Sequence, residues 1–252
     1  MSSSSRPRYS LIIPAYNEEH YLPRLLDSVD VARKCYSKGP EAVEVIVADN
    51  QSTDGTAEVA AARGCRVVRV EKRVIAAVRN RGAATARGKI LAFVDADSEI
   101  HPRTFDEIDK ALATGRYIAG ATGLRMERWS LGIATTYAIM VPMVILMRMD
   151  TGVVFCRRDD FETVGGYNEQ RLFAEDVQFL WDLRRLGKER KQGLVRVRSA
   201  KALGSTRKWD QHGEWHYITQ VFRLAWSVIR SPTARPDFAR KYWYGENRRD
   251  PP

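Results

Sequence analysis

Val43-Glu44-Val45-Ile46-Val47-Ala48-Asp49, VEVIVAD, is apolar at nearly every position and then stops at a carboxylate. A strand with one wet face alternates apolar and polar residues, whereas a strand in a parallel sheet covered by helices on both faces reads as an almost unbroken apolar run. VEVIVAD has the second pattern. Outward from it, further short β-rich runs follow as YSLIIP (Tyr9 to Pro14), CRVVRV (Cys65 to Val70) and KILAFVD (Lys89 to Asp95). Helical patterns separate these runs, around Tyr21 to Cys35, near Thr56 to Arg63 and near Ile75 to Ala86. The alternation predicts an α/β fold with a mostly parallel central sheet and helices on both faces.

Ligands of such sheets bind beyond the carboxyl ends of the strands. Three predicted strands run into polar segments there: PAYNEE from Pro14, DNQSTDGT from Asp49 and DADS from Asp95. These segments are expected to line one cleft. In an extended chain Asp95 and Asp97 project to the same side, and the small Ala96 between them leaves room for a ligand. Paired carboxylates repel, and a hard cation such as Mg²⁺ or Mn²⁺ relieves that repulsion, commonly with one or two carboxylates and substrate phosphates in its shell. A turn or helix cap, with Asp97 or Ser98 satisfying backbone donors, is the plainer alternative.

The chain has 252 residues, 44% of them hydrophobic, enough for one large core or two small ones. No repeat, low-complexity tract or Gly/Ser linker interrupts Tyr9 to Ser231, so one domain is the economical reading. Residues 1–8 read as a disordered tail without the apolar segment of a secretion signal. Residues 232–252 form a proline-rich, charged tail whose Phe238, Tyr242, Trp243 and Tyr244 suggest partial packing, a helical extension of the domain. Cys35, Cys65 and Cys156 fit neither a disulfide framework nor a zinc site and read as reduced, buried thiols of a cytoplasmic protein.

The net charge is +10, and Arg184 to Lys208 holds ten Lys and Arg against the single acid Glu189. Such a balance attracts nucleic acid, an anionic membrane surface or phosphorylated small molecules, or is simply a solvated face. Trp129 to Met147 carries no charge over nearly the length of a membrane span. Pro142, Gly132 and the Ser/Thr residues weaken that reading and leave a membrane-surface or acceptor-side helix, or a buried or dimerising one.

LIIPAYNEE, VIVADNQSTDGT, RNRGAATARGKILAFVDADS and GGYNEQRLFAEDVQFLWDLRRLG occur in the order and approximate spacing of family 2 inverting glycosyltransferases. The chain resembles that family from Ser10 to about Gly187, and the resemblance implies a GT-A fold acting on a nucleotide-sugar donor. It divides the domain, residues 9–231, into a nucleotide-binding half (9–98) and an acceptor-binding half (99–231). It further implies that Pro14, Ala15, Tyr16 and Glu18 hold the nucleoside and that Asp49 accepts a hydrogen bond from a uracil or guanine base. Arg79 would meet the phosphates, where a guanidinium binds bidentately, with Arg81 or a surface role as the alternative. Asp95, Ala96 and Asp97 would contact the donor, Asp97 as the more direct ligand of Mn²⁺ or Mg²⁺ and Asp95 as the second.

Asp176, beside Glu175, matches the family's general base, which takes the acceptor hydroxyl's proton. The plainer role of both acids is to complement a helix dipole. Beyond Gly187 the match loosens. Ser205, Thr206, Arg207 and Lys208, with His212 and His216 nearby, are the candidates to close over the diphosphate. The expected partners are a UDP- or GDP-sugar and a glycan, lipid or small-molecule acceptor, with no nucleic acid. Contact with the inner face of a membrane and a homodimer are both compatible with the sequence.

Rival enzymes need loops that are absent. A sugar nucleotidyltransferase carries a Gly-rich loop after the first strand, and a dinucleotide-dependent oxidoreductase carries G-x-G-x-x-G. Outside catalysis, a basic polyanion-binding protein explains Arg184 to Lys208 but leaves the carboxylates without a purpose. A catalytically inactive scaffold is the remaining alternative.

Overall fold

A computed structural model describes residues 6–147, 151–171 and 175–215. Its centre is a seven-stranded sheet built from β1 (Tyr9–Ala15), β2 (Val43–Asp49), β3 (Arg66–Arg69), β4 (Ile90–Phe93), β6 (Tyr117–Ala121), β8 (Val154–Arg157) and β9 (Gly193–Arg196). The strand order is β3-β2-β1-β4-β8-β6-β9, and only β8 runs antiparallel to its neighbours. VEVIVAD is β2 over its full predicted length and pairs in parallel with β1, from Tyr9 opposite Val43 to Ala15 opposite Asp49. The mixed direction comes from β8, which enters between β4 and β6 from the opposite end.

Both faces of the sheet are buried, as the apolar runs predict. Leu11, Ile13, Val45, Val47 and Ala92 face α1 (Leu22–Cys35) and α4 (Thr104–Ala113), sharing one core with Leu25, Val29, Phe105 and Ile108. The alternate residues Ile12, Ile46, Leu91 and Phe93 face the other layer, α3 (Ile75–Thr85), α6 (Arg158–Val164) and α7 (Glu175–Glu189), with Ala83, Phe161, Phe179 and Leu183. α2 (Thr56–Ala62) covers β2 and β3. In α1 the buried positions Leu22, Leu25, Leu26, Val29 and Ala32 fall on one helical stripe, which is what commits that segment to the core.

A second, three-stranded sheet sets the geometry of the site. β10 (Ala202–Gly204) runs antiparallel to β5 (Ser98–Glu99) and parallel to β7 (Leu124–Met126). It therefore draws the segment after Gly204, including α8 (Arg207–His212), to the turn that follows β4.

The structure corrects three expectations. The fourth strand ends at Phe93, not at Asp95, and Ser98 N–H donates to Asp95 O at 3.1 Å, so the two aspartates lie on a turn. Ala96 is buried in the apolar layer with Val94 and Ile100, so its small side chain fills core space beneath the turn. All three cysteines are free, but only Cys156 is buried, and Cys35 is exposed near the wet end of α1.

Trp129 to Met147 yields α5 (Leu131–Met147), and no helix among the described residues is long and apolar enough to cross a membrane. Leu131 and Ile139 are exposed on it, and Trp129 is exposed just ahead of it. Residues 1–5 and 216–252 lie outside the described residues, and with them His216, most of the tail expected at 1–8 and all of the one expected at 232–252.

Candidate active site

The loops after β1 and β2 are tied together before any ligand arrives. Asn17, in the left-handed region at φ 52°, receives a hydrogen bond at Oδ1 from Thr53 N–H (2.8 Å), while its own N–H donates to Ser52 Oγ (3.0 Å). Asparagine tolerates that backbone better than most residues. Glu18 N–H donates to Thr56 Oγ1 (2.8 Å), and Glu19 accepts from Gly55 N–H. Asp49 is buried at the end of β2 and accepts from Ser52 N–H at 3.1 Å, which fixes its carboxylate at the carboxyl end of that strand. Pro14 and Ala15 belong to the end of β1, buried within the sheet, and Tyr16 opens the turn with Arg73 stacked over its ring at 5.2 Å.

Two arginines organise the rest. Arg79, on α3 and buried, donates through Nη1 to Asp176 Oδ1 (2.6 Å) and Glu175 Oε1 (2.8 Å), and through Nη2 to Asp95 Oδ1 (2.9 Å). Arg207, at the start of α8, meets Glu18 bidentately at 2.7 and 3.1 Å and reaches Asp97 Oδ2 at 3.1 Å. Its guanidinium also lies 4.5 Å from the centre of the Tyr21 ring. Five carboxylates thus share two guanidinium groups, and the surplus is negative although the chain is basic.

Burial is the largest influence on Asp176. It pushes the carboxyl up, Arg79 pulls it down, and Glu175 and Asp95 push it up again, leaving it at about 7. A side-chain accessibility of 28% leaves an edge open to solvent and to an incoming hydroxyl. A carboxylate titrating near neutrality is matched to general-base work. Arg79 is driven the other way: burial lowers its pKa, but Asp176 and Asp95 outweigh that and hold it charged.

The two aspartates of the turn are engaged by different arginines, Asp95 by Arg79 and Asp97 by Arg207. Asp95 is the more open, 56% exposed against 21% for Asp97. Among the described residues no set of three His, Cys, Asp or Glu side chains gathers to hold a metal. Two carboxylates without a third protein ligand fit Mg²⁺ or Mn²⁺ bound jointly with substrate phosphates, and do not fit an all-protein cage.

Among the candidates after Gly187 whose side chains are described, Arg207 contacts this cluster; Thr206 is buried, and its carbonyl accepts Asp210 N–H at α8's first turn. Arg81 is exposed on α3. Sequence reasoning missed Asn80, which receives Tyr167 N–H at Oδ1 (2.8 Å) and donates to Tyr167 O (2.8 Å), pinning the Gly165-Gly166 turn ahead of Glu175. Both glycines have positive φ, and a Cβ on Gly166 would meet Asn80 Oδ1 at 2.7 Å, so the turn needs glycine there. The Asn80 signal was its place beside Arg79 in RNRG.

The fold and the carboxylate-lined edge place the protein in the GT-A class of α/β folds. It belongs to glycosyl transferase family 2, whose sequence profile matches residues 10–157. The glycosyltransferase AglE of Haloferax volcanii is 28% identical over 70% of this chain and 61% of its own length. Among solved structures, residues 1–349 of S. aureus TarS in complex with UDP-GlcNAc superpose with a TM-score of 0.62 at 18% identity, over 79% of this chain and 58% of that one. The Pyrobaculum calidifontis mannosyltransferase PcManGT, in complex with GDP-Man and Mn²⁺, gives 0.62 at 22% identity, over 79% and 56%. The chain spans less than two thirds of each of these proteins.

Proposed function

We propose that the chain transfers a sugar, with inversion, from a nucleoside-diphosphate donor to an acceptor hydroxyl. A UDP-sugar is favoured and a GDP-sugar is the second choice. The observation that carries this reading is the Arg79 bridge, which joins the base candidate Asp176 to Asp95 of the turn at the carboxyl edge of the sheet. Base and leaving-group elements then belong to one rigid assembly, as a displacement at an anomeric carbon requires.

In this reading Asp176 accepts the acceptor hydroxyl's proton while that oxygen bonds to the anomeric carbon. The bond from carbon to the diphosphate oxygen breaks, and its electron pair leaves with the nucleoside diphosphate. Tyr16, Glu18 and Asp49 position the nucleoside, and Asp97 with Asp95 would hold Mn²⁺ or Mg²⁺. A bound divalent cation supplies charge neutralisation of the departing diphosphate. Complexes of structural neighbours with UDP-GlcNAc and with GDP-Man and Mn²⁺ support the donor class and the use of a cation.

Residues 9–98 would form the nucleotide half and 99–231 the acceptor half, with exposed Trp129 and Leu131 on the acceptor side suiting an apolar acceptor or a membrane surface. The test is thermal stabilisation by UDP, GDP, CMP and TDP, with and without Mn²⁺. A shift for one uridine or guanosine nucleotide that needs Mn²⁺ supports the reading. No shift for any nucleotide moves the chain to the scaffold or polyanion-binding class.

A further inference from the structure

The edge of the sheet opposite the candidate active site holds a cavity of about 490 Å³, within the size range of small-molecule sites. It opens where β1 and β4 begin, so the seven residues of β1, roughly 20 Å of extended chain, separate it from the Tyr16 turn. Arg6, Arg8, Lys89, Arg157 and Arg158 line it, against the single acid Asp159, and Ile90 and Leu112 contribute apolar wall. The family reading gives none of these residues a task.

How the arginines are held matters more than their number. Arg8 shares the Asp109 carboxylate with Lys38, its Nε donating to Oδ1 at 2.8 Å. Arg158 instead donates Nε and Nη2 to the neutral carbonyl of Gly88, at 2.8 and 2.7 Å. Arg157 donates to the carbonyls of Tyr117 (3.1 Å) and Leu112 (2.9 Å), and its nearest acid, Asp160 at 3.9 Å, is already taken by Arg190 at 2.5 Å. Carbonyl partners fix a guanidinium in place without cancelling its charge. Arg6 and Lys89 are exposed, and among the described residues their side chains have no hydrogen bond or ion pair.

We propose that this cavity is a binding site for a soluble, phosphate-bearing small molecule, independent of the nucleotide site. Beyond the donors given to carbonyls, Arg157 and Arg158 keep further N–H groups and their full charge for phosphate oxygens, and the flanking Arg6 and Lys89 suit an anion of more than one charge. A concave pocket of this size selects a compact anion over the flat track a polymer would need.

The probe is inorganic pyrophosphate, titrated calorimetrically into the full chain with EDTA present, so that cation-dependent binding at Asp95 and Asp97 is silent. Wild type is expected to bind one equivalent. Arg6→Glu with Lys89→Glu, at exposed positions where folding is undisturbed, is expected to weaken binding about tenfold or more. Arg158→Gln, removing the fixed fork, is expected to act in the same direction, and Asp97→Ala to leave binding unchanged.

The proposal is overturned if pyrophosphate does not bind, if the double variant with unchanged melting temperature binds as wild type does, or if Asp97→Ala removes the heat. A final arm uses phosphatidylglycerol/phosphatidylcholine vesicles. Association with vesicles that pyrophosphate cannot compete would reassign the cavity mouth to a lipid surface.

Discussion

Arg79 Nη1 lies 2.6 Å from Asp176 Oδ1, a contact between residues 97 apart in the chain that sets the base candidate against a permanent cation. Without that cation, burial and two neighbouring carboxylates would act on Asp176 unopposed. The group is thereby balanced near neutrality, protonated in acid and charged in mild base.

Transfer should therefore rise with pH along a limb centred near 7, and Asp176→Asn should remove activity by a factor of about 10²–10⁴ while leaving Mn²⁺-dependent nucleotide binding nearly intact. The stability effect has a definite sign. A carboxyl whose folded pKa lies above its unfolded value of ~3.9 loses stability as pH rises from ~3.9 to about 7, because the unfolded chain releases the proton first. Asp176→Asn lacks that dependence and should melt as high as wild type, or higher, at pH 8. Melting curves at pH 5 and pH 8 with a kcat/KM profile check both parts, and equal loss of nucleotide binding and transfer would sink the assignment.

Arg79→Gln removes the group that pulls the Asp176 pKa down, so the rising limb of the pH profile should move to higher pH. It also leaves Glu175 and Asp95 without their shared donor. Breaking a buried ion pair on one side costs about 3–5 kcal/mol. Denaturant unfolding should show a loss of that order, and a variant with wild-type stability and an unmoved limb would show that the bridge is incidental.

The first four strands were legible because β1, β2 and β4 are apolar on both faces, and Val43 to Asp49 was placed to the residue, whereas β3, with Arg66 and Arg69, is a half-buried edge strand. The pairing of Asp95 and Asp97 was misread for a local reason: a period of two holds only while the chain stays extended, and this chain turns after Phe93. Glu175 and Asp176 were placed at a helix start by the family motif, and the structure begins α7 there. Arg207 was one of several residues in an unmatched basic stretch. What singles it out is the register of β10 against β5, a tertiary fact that local pattern does not encode. Cys35 fell outside the apolar stripe of α1, which the helical period could have revealed.

Asp97 and Asp95 meet different arginines, and cation binding would compete with Arg207 for Asp97. Asp97→Ala should abolish the Mn²⁺-dependent part of nucleotide stabilisation. Arg207→Gln should tighten Mn²⁺ alone, since one rival cation is gone, and weaken the diphosphate complex if Arg207 turns to the phosphates. Mn²⁺ titration followed by electron paramagnetic resonance separates the two, and weaker Mn²⁺ binding in Arg207→Gln would mean that the arginine orders the turn instead of competing at it.

Asp109 tests the opposite edge of the fold. It accepts hydrogen bonds from Tyr9 Oη, Tyr36 Oη, Lys38 Nζ and Arg8 Nε, each at 2.8 Å. Burial alone would raise its pKa, but the bonds from Lys38, Tyr36, Tyr9 and Arg8 outweigh it and hold the carboxyl below the usual range. The same carboxylate pushes the Tyr36 hydroxyl up, after burial. A depressed carboxyl stabilises the fold above its unfolded pKa of ~3.9, and that contribution is lost as pH falls through the lower folded value. Asp109→Asn should therefore lose about 2–4 kcal/mol at pH 7, through both lost charge and Tyr9 and Tyr36 hydroxyls left to share a weaker acceptor. The gap to wild type should narrow as pH drops below ~3.9, where the unfolded chain takes up the proton before the native carboxyl does. Urea unfolding of both proteins from pH 7 downward measures it, and a gap that stays constant with pH would show that packing of the Tyr9, Tyr36 and Phe105 rings, whose centres lie 5.0–5.7 Å apart, carries the effect in place of the charge.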